Sequence, residues 1–501
     1  MIQEKNNNVL LLGATGFTGV LIAEYLATHP QRDQFSLILA GRSANKLASL
    51  AATLKLVEAE GVQLQVVDVE DHAAVDAAVR SARVVINVVC PYWTYGTPVV
   101  RACVKYGVHY VDLTAETTWV RDIIEEFDYL ATKTGSIVIP SCGLDSVPSD
   151  LLVYLSLQTA RKHVSHLSNS PVYLGRSRTA FDLSMSELSA GSLTSFLGMF
   201  DNMPRWKVKQ AYSDWALSPF KGLPSLPPQL VYTLPHQHPT VCGSFYAMLP
   251  VNRAVVHRTW GLMRLQEARQ RSHLTVCPSY TAYANGNGNG HANGDMLPNG
   301  HPNGNGHPAD SMSGLNGLAK VAASRYFTVV EDEFTYDEMM VVKGGRIVAA
   351  LVTTTMAISA ICLAFFAPVR WLLKKIAIYP GAGPARETMA KGWINATNVS
   401  TISGHPHLTV KSTLNAKGDP SYLLTAVFAT ECALALALEH ESLPSREGGI
   451  LTPMSALGDV LVDRLRGSGR FDIQSGLVKS TQLQVNAQAC ATDAAAAKKR
   501  V

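Results

Sequence analysis

The stretch that decides the fold is Asn8–Gly19, NVLLLGATGFTG. Val9–Leu12 is an apolar run of strand length, and it breaks into Gly13, Gly16 and Gly19 at G-x-x-G-x-x-G spacing before a helical pattern begins. This order predicts a strand, a tight turn and a helix N-terminus. The three glycines serve different ends. Gly13 permits the turn, Gly16 lets the backbone approach a pyrophosphate, and Gly19 lets the helix pack closely on the sheet. Thr15 and Phe17 stand between them in the same cradle. Phosphates would rest on free backbone N–H groups at the positive end of the helix dipole.

Working outward, Val20–Leu26 supplies the helix and Phe35–Ala40 a second short strand, which ends at Gly41, Arg42 and Ser43 with Lys46 one turn further on. At this strand end an acidic side chain would bind the ribose hydroxyls of NAD, whereas a cation accommodates the 2′-phosphate of NADP. No Asp or Glu stands here and Arg42 does, which points to NADPH. Gln63–Val67 reads as a third strand followed by Asp68 and a helix over His72–Ser81. Val84–Val89 is a fourth strand, ending in CPYWTYG, Cys90–Gly96. Open parallel sheets bind ligands beyond their strand C-termini, so Val88, Cys90 and the residues after them are expected beside the nicotinamide. A helix at Pro98–Tyr106, a strand at His109–Leu113, a helix at Val120–Thr132 and a strand at Ser136–Pro140 complete the alternation. The fold class is therefore α/β: a Rossmann-like, doubly wound parallel sheet over residues 1–150.

Tyr129 and Lys133 form a Y-x-x-x-K pair, a pattern used by a catalytic tyrosine and lysine elsewhere. The helix stripe Val120, Ile123, Ile124, Phe127, Leu130 and Ala131 leaves Tyr129 about 200° from Phe127, at ~100° per residue, so the pair should point away from the sheet.

The chain has 501 residues, 47% of them hydrophobic and 16% charged, with a net charge of +4. That is the composition of a globular protein of two or three domains, and without a basic patch a nucleic-acid partner has no support. The eight cysteines are scattered, with no C-x-x-C pair or histidine cluster at ligand spacing, so a reducing compartment and no structural metal are expected. Polar Gln3–Asn8 leads directly into the first strand, so no signal segment is expected and a cytoplasmic location follows. The sequons at Asn395 and Asn398 are then chance matches.

GATGFTG, AGR at the second strand end, INVVCPYWTYG, YVDLTAE (Tyr110–Glu116) and CGLDSVPSD (Cys142–Asp150) together resemble the saccharopine dehydrogenase-like oxidoreductases, in the branch that contains the trans-acting enoyl reductases. SAGSLTS (Ser189–Ser195), PGAGP (Pro380–Pro384), KGW (Lys391–Trp393), DPSY (Asp419–Tyr422) and GGILTPMSALGDVLVDRL (Gly448–Leu465) extend the resemblance over nearly the whole chain. It implies a second α+β domain over 151–418 for the substrate and any homodimer contact. It also implies that residues 419–486 return as helices and strand onto the dinucleotide domain, before a tail at 487–501.

Within the second domain, the NG repeats of Asn285–His307 carry almost no apolar residue and are expected to be a disordered insertion. Ile347–Val369 has no charged residue, with Lys343 and Arg346 before it and Arg370, Lys374 and Lys375 after it. A buried helix and a membrane-associated one are both open, and a peripheral mode is preferred over a span because soluble-type sequence stands on both sides. Thr452 caps a helix that starts at Pro453.

Enoyl reduction needs a hydride donor over the β-carbon, a donor polarising the thioester carbonyl and an acid for the α-carbon. Tyr92, Tyr95 and Asp145 are the candidates for the last two, with Ser146 beside them. The resemblance implies a carrier-bound or lipid-like substrate and a synthase partner. Two alternatives stand beside it. One is an imine or carbonyl reductase, for which Arg176 and Arg178 would hold substrate carboxylates. The other is a membrane- or lipid-droplet-associated protein that keeps the nucleotide fold without turnover.

Overall fold

The computed structural model describes residues 7–56, 61–164, 171–187, 189–235, 240–275, 333–377 and 383–478. The NG-rich segment 285–307, the tail 487–501 and most of PGAGP lie outside them.

The N-terminal part alternates as its apolar runs dictate: β1 (Asn8–Leu12), α1 (Phe17–Ala27), β2 (Ser36–Gly41), α2 (Ala44–Thr53), β3 (Val62–Val66), α3 (His72–Arg80), β4 (Val84–Asn87), α4 (Tyr92–Tyr106), β5 (His109–Asp112), α5 (Thr117–Thr134), β6 (Ile137–Ile139) and α6 (Val147–Val164). The strands pair in parallel in the order β6-β5-β4-β1-β2-β3. The chain leaves β1 toward β2 on one side and later enters β4 on the other. Between the C-terminal ends of β1 and β4 lies the crevice of a doubly wound sheet, the place where such sheets bind ligands.

A second sheet of seven strands follows in the order β14-β12-β11-β7-β10-β9-β8. Its elements are β7 (Leu174–Ser184), α7 (Ala190–Asn202), α8 (Arg205–Ala211), β8 (Tyr232–Thr233), β9 (Cys242–Ser244), α9 (Leu249–Thr275), β10 (Thr335–Val341), α10 (Gly345–Phe365), α11 (Ala367–Ala377), α12 (Arg386–Ala390), β11 (Trp393–Ile402) and β12 (His405–Lys417). The chain then returns to the first sheet through α13 (Thr425–Leu438), β13 (Gly449–Ile450), α14 (Pro453–Leu457) and α15 (Asp459–Gly467), and ends in β14 (Phe471–Val478). β13 pairs in parallel with β6. β14 pairs with β12, so the last strand belongs to the second sheet and not to the first, parallel one.

One hydrophobic cluster runs from Val9, Leu11 and Ile22 through Phe428 and Leu434 to Phe181, Ile394 and Leu414, so both sheets share a core with α13 inside it. Glu431 of α13 fastens the return: it accepts from Tyr25 Oη at 2.6 Å, His29 Nε2 at 3.1 Å and Arg464 Nε at 2.8 Å. At the start of α14 the Thr452 side chain and Ser455 form a reciprocal cap ahead of Pro453. Asn398 is fully buried among Ser156, Ser177 and Thr179, which closes that sequon to a glycan.

Candidate functional site

At the β1–α1 turn Gly13 has φ +91°, in the left-handed region that favours glycine, and its N–H and that of Ala14 both donate to Ala40 O at 3.0 Å. Gly16 donates to Gly13 O at 3.0 Å and is itself exposed. A Cβ on Gly19 would lie 2.1 Å from Gly13 O, so helix and turn can close only on glycine. The N–H groups of the first turn of α1 have no intrahelical acceptor, and α1 starts at the C-terminal end of β1, where such sheets bind ligands. A cradle for the pyrophosphate of a dinucleotide is thus present.

At the end of β2, Arg42 is exposed, Ser43 accepts from Lys46 N at 3.4 Å as the cap of α2, and no carboxylate follows the strand. Asp68, beyond β3, is exposed and accepts from Glu70 N at 3.1 Å. Val88 packs its side chain against the Gly13 turn, 3.2 Å from where a Cβ would stand. Gly383 packs on the turn: a Cβ on it would meet the Phe17 ring at 2.3 Å, and Phe17 stands edge-on to Tyr422 with centroids 5.0 Å apart. Thr15, Gly16, Phe17, Val20, Arg386 and Met389 line an open recess of about 240 Å³ there. The residues present fit an NAD(P) dinucleotide: Gly13, Thr15, Gly16, Phe17 and Gly19 would hold its phosphates and Arg42 its ribose end.

CPYWTYG differs from the expected strand-end loop. Tyr92 and Tyr95 lie in the first turn of α4, and the helix runs through Pro98. Tyr92 is buried, stacks on Trp119 with centroids 5.5 Å apart, donates to Asn87 O at 3.1 Å and accepts from Leu113 N at 3.2 Å. Burial first, and Asp112 next, push its phenol well above the ordinary value. Tyr95 is half-buried against the core under α4. Gly96 is required by packing, since a Cβ would meet the Trp119 ring at 2.6 Å.

The organiser of this region is Glu116, whose carboxylate accepts from Tyr92 N at 3.0 Å, Trp93 N at 2.8 Å and Ser195 Oγ at 2.9 Å. It caps α4 and binds α7 to it, and burial raises its carboxyl despite these donors. Cys90, beside Gly191 of α7, has its thiol raised by burial and then by Glu116. Sequence reasoning missed Glu116, and no local signal marks a cap more than twenty residues from its helix. Asp112, also missed, is fully buried, accepts from Tyr110 Oη, Thr114 N and Ser141 N at 2.9 Å each, and is raised by burial to about 7.

Asp145 lies in the β6–α6 loop, on the C-terminal edge of the sheet that also carries the glycine turn. It is partly exposed, and burial pushes its carboxyl up to about 6. Next to it Ser146 Oγ is buried without a partner among the described residues. Tyr246, stacked on Phe181 at 4.9 Å, feels the charges of both Glu338 and Asp145. Arg178 is corrected as a substrate-carboxylate ligand: it is buried, with Nη2 at 2.7 Å from Asp337 Oδ2 and Nη1 donating to Thr233 O at 2.8 Å. Tyr129 is 71% exposed with Lys133 over its ring, outside the crevice as the helix stripe predicts.

Residues 9–139 match the saccharopine dehydrogenase NADP binding domain. A provisionally named trans-acting enoyl reductase of Mycobacterium tuberculosis is 28% identical over 482 residues, covering 92% of this chain and 96% of the relative. A trans-acting enoyl reductase of Mycobacterium bovis is likewise 28% identical, covering 93% and 97%. Among solved structures, apo saccharopine dehydrogenase (L-Glu forming) of Saccharomyces cerevisiae aligns over 94% of this chain and 100% of its own, at 14% identity and a TM-score of 0.43.

Proposed function

We propose that the protein is an NADPH-dependent reductase of a carbon–carbon double bond in a lipid or polyketide-type intermediate, acting in trans on a carrier-bound chain; residues 9–139 match the saccharopine dehydrogenase NADP binding domain. The observation that carries the cofactor half is the open glycine turn with exposed Arg42, and no carboxylate, at the neighbouring strand end. The substrate half is supported by relatives that span nearly the whole chain and bear the enoyl reductase name.

NADPH, when bound, supplies a hydride for the β-carbon. The chain's own residues do the rest. The turn and Arg42 bind and orient the nucleotide, Glu116 fixes the start of α4 beside the crevice, and Asp145 holds the proton destined for the α-carbon. A carboxyl raised to about 6 is half protonated at that pH and still ~10% protonated one unit higher. Imine reduction of a substrate with several carboxylates is disfavoured, because Asp337 already neutralises Arg178.

Fluorescence titration tests the cofactor: NADPH should bind more tightly than NADH, and Arg42→Asp should weaken NADPH by about 2 kcal/mol or more while leaving NADH little changed. Enoyl-thioester reduction tests the acid: Asp145→Asn should lower kcat by roughly 10²–10⁴ with unchanged NADPH affinity. It should also abolish a fall in rate as pH rises through about 6, where the native carboxyl loses its proton. NADPH binding without reduction of any enoyl thioester would favour the reading without turnover.

A further inference from the structure

We propose that α10 and α11 form a monotopic seat for an anionic phospholipid bilayer, lying in the headgroup region without crossing it. α10 is inside out for a soluble protein. Ile347, Leu351, Thr354, Ile358, Ile361 and Phe365, spaced three or four residues apart, form its outward stripe, with Ile347 78%, Leu351 62% and Phe365 63% exposed. Its inner side is the more polar contact: Ala349 is buried and Thr353 Oγ1 accepts from Phe245 N at 3.1 Å.

α11 is inverted in the same way. Two of its three cations face the protein, where Arg370 Nε and Lys374 Nζ grip Asp201 of α7 at 2.7 and 2.6 Å. That leaves Trp371, Leu372 and Leu373 outside. Monomers in water rarely expose a continuous apolar surface of this extent.

Charge complementarity selects the occupant. No Asp or Glu occurs between Glu338 and Glu387, while Lys343, Arg346 and Lys375 are exposed around the apolar faces. Aromatic rings beside cations are the usual furniture of a headgroup layer. Here Lys375 lies over Trp371 and Arg205 over Phe365.

Topology excludes a span. At 1.5 Å per residue α10 is ~30 Å long, but β10 before it and β11 after it both pair with β7 in one sheet. Both ends of the segment are therefore held on the same side, and the helix can only lie along the surface.

The decisive experiment is flotation of the full chain with vesicles of phosphatidylcholine containing about one-third phosphatidylserine, against phosphatidylcholine alone. Most of the protein should float on the anionic vesicles, with about tenfold weaker partition on neutral ones. Leu351→Asp/Ile358→Asp should lose flotation with an unchanged thermal transition. Arg346→Glu/Lys375→Glu should abolish the preference for phosphatidylserine. Absence of flotation on either vesicle would overturn the proposal. So would a sedimentation dimer of the native chain that Leu351→Asp/Ile358→Asp converts to monomer without any vesicle binding, which would place a second copy on this face. None of these readouts depends on the reductase reading, and NADPH titration of the same preparations separates the two.

Discussion

Among the described residues, two helices are long and apolar enough to cross a bilayer, and they live in opposite surroundings. The stretch ending in α13, Pro420–Leu438, is 83% buried, whereas α10 is 6% buried and is the more apolar of the two. The difference teaches that hydropathy measures a tendency to leave water and says nothing about what covers the helix. In α13, alanines alternate with Leu434 and Leu436, thin enough for β1, β4, β5 and α1 to close on every side. Its one carboxylate, Glu431, is met by Arg464, His29 and Tyr25. In α10, Ile347, Leu351, Ile358, Ile361 and Phe365 are exposed and Ala349 is buried.

The strongest challenge to this contrast is a charge in α13. Ala433 is fully buried, and Ala433→Asp should cost more than ~4 kcal/mol and leave no soluble folded protein by gel filtration and circular dichroism. Arg464→Met should come next, at about 3–5 kcal/mol in denaturant unfolding, because it strands the Glu431 carboxylate in the core. The acid limb sharpens it. Burial alone would raise the Glu431 carboxyl, but the His29 and Arg464 contacts outweigh burial and hold it below the ordinary value. A depressed carboxyl stabilises the fold at neutral pH, and that stability is lost as pH falls through the lowered value. Glu431→Gln should therefore be less stable than the native chain at pH 7 and lose less on acidification. Smallest of all, Ile358→Asp in α10 should change stability in detergent-free buffer by no more than about 0.5 kcal/mol, although it places a charge in the more apolar helix.

Legibility followed the range over which the signals act. The parallel sheet was readable because each strand is a short apolar run that stops at a turn, and Gly13, Gly16 and Gly19 have consequences within a few residues of themselves. The surroundings of Tyr92 were not legible because its direction depends on where α4 starts, which Glu116 fixes from beyond β5. Arg178 was misread because Asp337, its partner, is brought beside it only by the pairing of β7 with β10. β14 lies next to helices of the first sheet in the chain, and nothing in its alternation says which sheet it joins. The apolar segment Ile347–Val369 left burial and exposure open, and only its neighbours decide between them.

The glycine at position 383 has a consequence for distance. It rests on Phe17, at the edge of the phosphate cradle, and Ala377 at the end of α11 is only six residues before it. A fully extended chain of that length reaches about 20 Å. The end of α11 is thus leashed to the glycine turn. Any displacement of the end of α11 relative to the glycine turn is confined to that reach.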